Sequence, residues 1–149
     1  MVSLGGEARR CHPLAEQVDA ERWGLEGPVE RWKQSRDAIH AQVCAEGFDK
    51  ELGSFVQSYG SKELDASLLM IPLVGFLPAK DPRVRGTGEA IQRGLTRDGF
   101  VARYSTHEGV DGLPAGEGVF LPCTFWLADN LHLLGREAEA RKIFERLLG

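Results

Sequence analysis

Nothing in this sequence is long and apolar enough to span a bilayer. The longest apolar run, Ala66–Gly75, is interrupted by Pro72 and falls far short of the roughly 20 residues a spanning helix needs. The first residues, Met1–His12, lack the apolar stretch of a secretory signal, which points to a cytoplasmic location. There is no basic surplus: 18 Lys+Arg stand against 22 Asp+Glu, a net charge of −4. A nucleic-acid or anionic-membrane partner would therefore lack its electrostatic footprint. Cysteines are few. Cys11, Cys44 and Cys123 cannot all pair within one chain and form no C-x-x-C. His40 and Cys44 stand four apart on an expected helix, but no second ligand pair stands nearby, so no metal and no cofactor is expected.

What the chain does have is 149 residues, 42% of them apolar, enough for one domain with a core that needs no disulfide or metal staples. Glycine is over-represented, at 18 in 149, or about 12% where about 7% is usual. The glycines gather at 47–60, 86–99 and 109–118, between segments with helical periodicity.

A weakly patterned segment, Glu7–Val18, is the first helix candidate. From Val29, apolar residues recur at Trp32, Ile39 and Val43 until Gly47, with Pro28 suited to a first helical position. Asp65 is placed to cap Ala66–Val74, apolar nearly all round and therefore expected to be buried on every face, with Pro72 kinking or shortening it. Pro82–Leu95 is amphipathic through Val84, Ile91 and Leu95. Gly118–Leu134 is again apolar through Val119, Phe120, Leu121, Cys123, Phe125, Trp126 and Leu127, and Arg136–Leu148 is amphipathic through Ala140, Ile143, Phe144 and Leu147.

Amphipathic and buried helices thus alternate. Phe55–Tyr59 and Phe100–Tyr104 share the pattern F-V-x-x-Y, 45 residues apart, each upstream of a buried segment. Such a period predicts an all-α chain of stacked αα-hairpins in two layers, with the inner helices wrapped by their neighbours as in a helical toroid.

In that architecture the loops at one end hold the chemistry. Gly53–Ser61 leads into Asp65, and the loop from Asp98 to Gly118 carries Arg103, Tyr104, His107, Glu108, Asp111 and Glu117. Arg103 presents a planar set of donors suited to vicinal hydroxyls or carboxylates, or else pins its own loop. Glu117, at the mouth of the most apolar helix, is favoured as a carboxylate by the helix's positive end, with or without a catalytic task. Trp126 and the two tyrosines, Tyr59 and Tyr104, suit a sugar face or the core. Gly86-Thr-Gly88 fails as a dinucleotide fingerprint because Ile91 stands where glycine is needed. Gly112–Gly116 lacks the lysine of a phosphate loop. Cys123, inside an apolar helix, is a poor partner for His107 in nucleophilic chemistry.

The segment Gly116–Trp126, G-E-G-V-F-L-P-C-T-F-W, is similar to the G-E-G-x-F-x-x-C-S/T-F-W segment of bacterial family 15 glycoside hydrolases, the glucoamylase- and trehalase-like enzymes. Ser58–Leu69, Val74–Val84 and Asp98–Tyr104 resemble further motifs of that family in the same order. The likeness runs from about Val29 to Gly149. It implies an (α/α)6 toroid and hydrolysis of α-glucosidic bonds with inversion, acting on an α-linked glucoside of the maltodextrin or trehalose class.

Inversion needs one carboxylic acid to protonate the leaving oxygen and a second carboxylate to activate water on the opposite face. The family's acid lies in a Trp-Glu motif and its base in a Glu-Glu-Tyr-Asp-like motif. Neither occurs here: Trp23, Trp32 and Trp126 precede Gly24, Lys33 and Leu127, and no tyrosine precedes aspartate. The expectation is that residues 1–149 are an internal part of a catalytic domain, inactive alone. By resemblance, Arg103 binds the hydroxyls of the terminal glucose, Glu117 orients substrate or neighbouring loops, and Tyr59 and Asp65 line the same wall. Apolar faces left uncovered would favour self-association. The alternative is a non-catalytic helical module that binds a protein or a sugar.

Overall fold

The computed structural model describes residues 23–24, 26–105 and 120–149. Along them run α1 (Val29–Glu46), β1 (Phe48–Asp49), β2 (Ser54–Phe55), a 3-10 turn (Ala66–Leu69), α2 (Met70–Leu73), α3 (Pro82–Leu95), β3 (Thr96–Arg97), β4 (Phe100–Val101), α4 (Leu121–Leu133) and α5 (Glu137–Leu148). The all-α expectation holds, because the two-residue strands only clip helices together. The candidate helix Glu7–Val18 lies outside the described residues.

Capping chemistry sets the helix boundaries. Asp81, in an extended conformation, accepts the Arg83 amide at 2.9 Å, and Pro82 occupies the first position of α3. α2 and α4 both end in the same device. A left-handed glycine follows the last turn, and two amides reach back to its carbonyls: Gly75 to Pro72 and Phe76 to Ile71, then Gly135 to His132 and Arg136 to Leu131. The second of these turns α4 directly into α5.

Ala66–Val74 is buried at Ala66, Ser67, Leu68, Leu69 and Ile71, but not on every face as expected: Met70, Pro72 and Leu73 are half-buried and Val74 is exposed. Nor is the segment one helix; it is a 3-10 turn followed by a single α-helical turn. Pro72 falls in the first turn of α2, where its missing N–H leaves no helical bond unmade.

α4 departs further from expectation. Cys123, Thr124, Leu127, Ala128, Asn130 and Leu131 are buried, but Leu121, Phe125 and Leu133 are exposed. The core lies on one side of this helix only. On another side Phe125 meets Phe144 of α5 edge-on, ring centroids 6.1 Å apart. α1 has no buried residue; Val43 and Cys44, in its last turns, pack against the core.

Each F-V-x-x-Y segment begins in the second strand of an antiparallel hairpin. Phe48 pairs with Phe55 and Asp49 with Ser54; Thr96 pairs with Val101 and Arg97 with Phe100. The second hairpin turns through Asp98 and Gly99 alone, both at positive φ (50° and 81°), the geometry of a two-residue turn matched to strand twist.

Each hairpin is locked to a later helix by a threonine. The buried Phe55 amide donates to Thr87 Oγ1 of α3 at 2.9 Å, and the buried Val101 amide donates to Thr124 Oγ1 of α4 at 2.9 Å. Val101, not Phe100, is therefore the counterpart of Phe55. The structural echo spans 46 positions and is one residue out of step with the sequence echo.

Candidate functional site

The loop before the 3-10 turn and the segment after β4 are zipped together. Asp65 and Tyr104 form an antiparallel bridge, and the Ala66 amide donates to the Arg103 carbonyl at 2.7 Å. The side chains close the same junction. Asp65 Oδ1 accepts the Ser67 amide at 2.7 Å, capping the 3-10 turn, and also accepts Arg103 Nε–H at 3.2 Å. Asp65 is 5% exposed, whereas the Arg103 side chain is 40% exposed. Among the described residues, the two terminal nitrogens of Arg103 have no hydrogen-bond partner. The guanidinium is thus tethered at its inner edge and open at its outer one.

α4 supports the junction from behind. Thr124 holds Val101, two residues before Arg103, while Asn130 Nδ2 donates to the carbonyls of Leu69 at 2.8 Å and Trp126 at 2.7 Å. Cys123 is fully buried. Burial pushes its thiol up to about 11; the Arg103 charge opposes that rise and the Asp65 charge adds to it. A thiol so raised is a packing group, as the sequence suggested. Trp126 is half-buried against the core, with its ring edge-on to Phe120 at 6.3 Å.

Of the four residues expected to bind substrate, Asp65 and Arg103 are in mutual contact. Tyr59 is half-buried at the foot of α1, where a Cβ placed on Gly47 would lie 3.6 Å from its ring. Glu117 lies outside the described residues, as do His107, Glu108 and Asp111. Sequence reasoning missed Thr87, Thr124 and Asn130. For the second hairpin a signal was present: Asp98-Gly99 between Thr96-Arg97 and Phe100-Val101 is a strong short-range hairpin pattern.

Two open clefts lie among the described residues. One is lined by Lys80, Arg85, Glu89, Gln92, Arg93, Leu134 and Arg136, the other by residues of α4 and α5 including Phe144 and Leu148. Neither of these two clefts is lined by Tyr59, Asp65 or Arg103. Among the described residues no group of three His, Cys, Asp or Glu is arranged to hold a metal, and no helix is long and apolar enough to cross a membrane.

Residues 16–149 match the model of the family described as glycosyl hydrolases family 15. A trehalase of Mycobacterium tuberculosis is 46% identical over 129 residues, 87% of this chain and 19% of that protein. A trehalase of Thermoplasma volcanium is 41% identical over 129 residues, again 87% of this chain and 20% of its own length. The chain thus spans about a fifth of the curated relatives it matches. Among solved structures, a wild-type glycosidase superposes with a TM-score of 0.68 at 27% identity, over 80% of this chain and 31% of that one. A variant glycosidase in complex with glucose gives the same values.

Proposed function

This chain belongs to glycosyl hydrolase family 15, and from that premise we propose that it forms part of the sugar-binding wall of an inverting α-glucoside hydrolase with a trehalose-type substrate. The observation that carries the reading is Arg103. Its Nε is held by a buried carboxylate, which leaves two coplanar N–H edges open for vicinal sugar hydroxyls. The trehalase names of its relatives favour the two linked glucoses of trehalose over a longer glucan.

In this reading the wall orients the terminal glucose, while the acid and base come from parts of the domain other than residues 1–149. These two carboxyl groups must stand on opposite faces of the anomeric carbon with a water between them. The chain then supplies one arc of an (α/α)6 toroid. Glu117 and Tyr59 belong to the same wall, with Glu117 orienting substrate or neighbouring loops. The location is cytoplasmic. The exposed apolar residues of α4 and α5, Phe125, Phe144 and Leu148 among them, are covered in the whole domain and draw the isolated chain into self-association.

A hydrolysis assay tests the assignment. Purified chain incubated with trehalose or maltose is expected to release no glucose. Turnover that disappears in Glu117→Gln would make Glu117 a catalytic carboxylate and overturn the reading of an inactive wall.

A further inference from the structure

Away from the sugar-binding wall, an open cleft of about 860 Å³ lies between α3 and the turn that joins α4 to α5. Small-molecule clefts usually measure about 300–1,000 Å³. The charge of this one is unbalanced. Lys80, Arg85, Arg93 and Arg136 line it against a single carboxylate, Glu89, in a chain whose net charge is −4.

These cations are little neutralised from within. Arg85 Nε stands 3.6 Å from Glu89 Oε1, too far for a hydrogen bond. Asp81, the acid next to Lys80, is taken up by Arg83, from which it accepts Nε–H at 3.1 Å and Nη2–H at 2.8 Å. Among the described residues, neither Lys80 nor Arg93 has an ion-pair partner. Arg136 differs, because Glu139 accepts from its Nε and Nη2 at 2.7 Å each. That clamp fixes the guanidinium and leaves its remaining N–H groups for a ligand.

The charges are also ordered in space. Arg85, Glu89, Gln92 and Arg93 follow the spacing i, i+4, i+7 and i+8, so they share one face of α3. Arg85 and Arg93 lie about 12 Å apart along the helix axis, with Glu89 midway. Lys80 precedes the helix at the Arg85 end. A cation at each end, with a carboxylate and an amide between, complements two phosphates separated by hydroxyls. The cations take the phosphates, and Glu89 and Gln92 accept from the hydroxyls. Among the described residues, the lining holds no aromatic ring on which a nucleobase would stack. We propose that this cleft binds a sugar bisphosphate.

The test is calorimetric titration of the folded chain, at one ionic strength, with fructose 1,6-bisphosphate, glucose 6-phosphate and inorganic phosphate. The bisphosphate is expected to bind at one site, about tenfold or more tighter than either monophosphate, as a second set of charge-assisted contacts requires. Arg93→Gln, and Lys80→Gln combined with Arg85→Gln, should each bring the bisphosphate down to the level of glucose 6-phosphate. All three side chains are exposed, so the melting temperature should stay near that of wild type. Arg141→Gln, which removes the same charge from the other cleft, should leave the affinity unchanged. Bisphosphate binding no tighter than that of inorganic phosphate, or wild-type affinity in the variants of both ends, would overturn the proposal.

Discussion

One oxygen of Asp65 serves two masters: Oδ1 accepts the Ser67 amide at 2.7 Å and the Nε–H of Arg103 at 3.2 Å. A residue that caps a turn therefore also sets the direction of a guanidinium 38 positions downstream. The carboxylate is buried, so in the proposed sugar-binding wall its part is to position Arg103 rather than to meet a sugar itself.

Asp65→Ala removes the cap and the tether together. The capping loss alone is worth about 1 kcal/mol, and sugar binding should weaken in parallel with Arg103→Ala. Asp65→Asn keeps an oxygen for Ser67 but not the charge that holds Arg103. It should retain most of the stability while losing binding. Thermal melts beside sugar titrations of both variants separate the two roles.

Thr87 and Thr124 each satisfy a buried amide, and Thr87 also donates to the Arg83 carbonyl at 2.8 Å. Replacing either by valine keeps the shape and strands an N–H, at a cost of about 1–3 kcal/mol. Serine at the same position should recover most of it. Urea unfolding midpoints give the comparison.

Gly86 and Gly88 lie in the same helix and should respond to alanine with opposite signs. A Cβ at Gly86 would collide with the Gly53 carbonyl in the loop of the first hairpin, whereas one at Gly88 meets nothing within 4 Å. Gly88→Ala should stabilise by about 0.5–1 kcal/mol through helix propensity. Gly86→Ala should destabilise despite the same propensity gain. Calorimetric melting of the pair decides it.

The hydrogen bond from Arg83 holds the Asp81 carboxyl below its ordinary value of 3.8. Its folded pKa is thus lower than its unfolded one. It contributes stability above the unfolded value, and that contribution fades as pH falls through the folded value. Melting temperature should therefore drop less steeply below about pH 4 in Asp81→Asn than in wild type. The variant should already be less stable at pH 7. Parallel slopes would remove Asp81 from the acid response.

Much of the helical frame is legible in the sequence because local signals there agree. Asp81-Pro82 starts α3 where capping rules place it, and Gly47 ends α1. Ala66–Val74 misleads because apolar composition reports burial, not the winding of the backbone, and Asp65 and Pro72 together suit a tighter turn. α4 misleads for a related reason: an all-apolar surface shows that something covers it without showing what, and Phe125 and Leu121 face outward among the described residues. The junction at the site depends on pairing between Asp65 and Tyr104, which no periodicity announces. Arg103 was legible from its own chemistry as either a hydroxyl or carboxylate donor or a loop pin, and only the family's motif assigned it to a terminal glucose.

Titration of trehalose into the folded chain, wild type against Arg103→Ala, tests the central claim most directly. The account predicts saturable binding to wild type, weakened about tenfold or more in the variant, as loss of a charged multidentate donor requires. The melting temperature should stay close to that of wild type. Equal affinity in the two proteins, with the variant still folded, would contradict it.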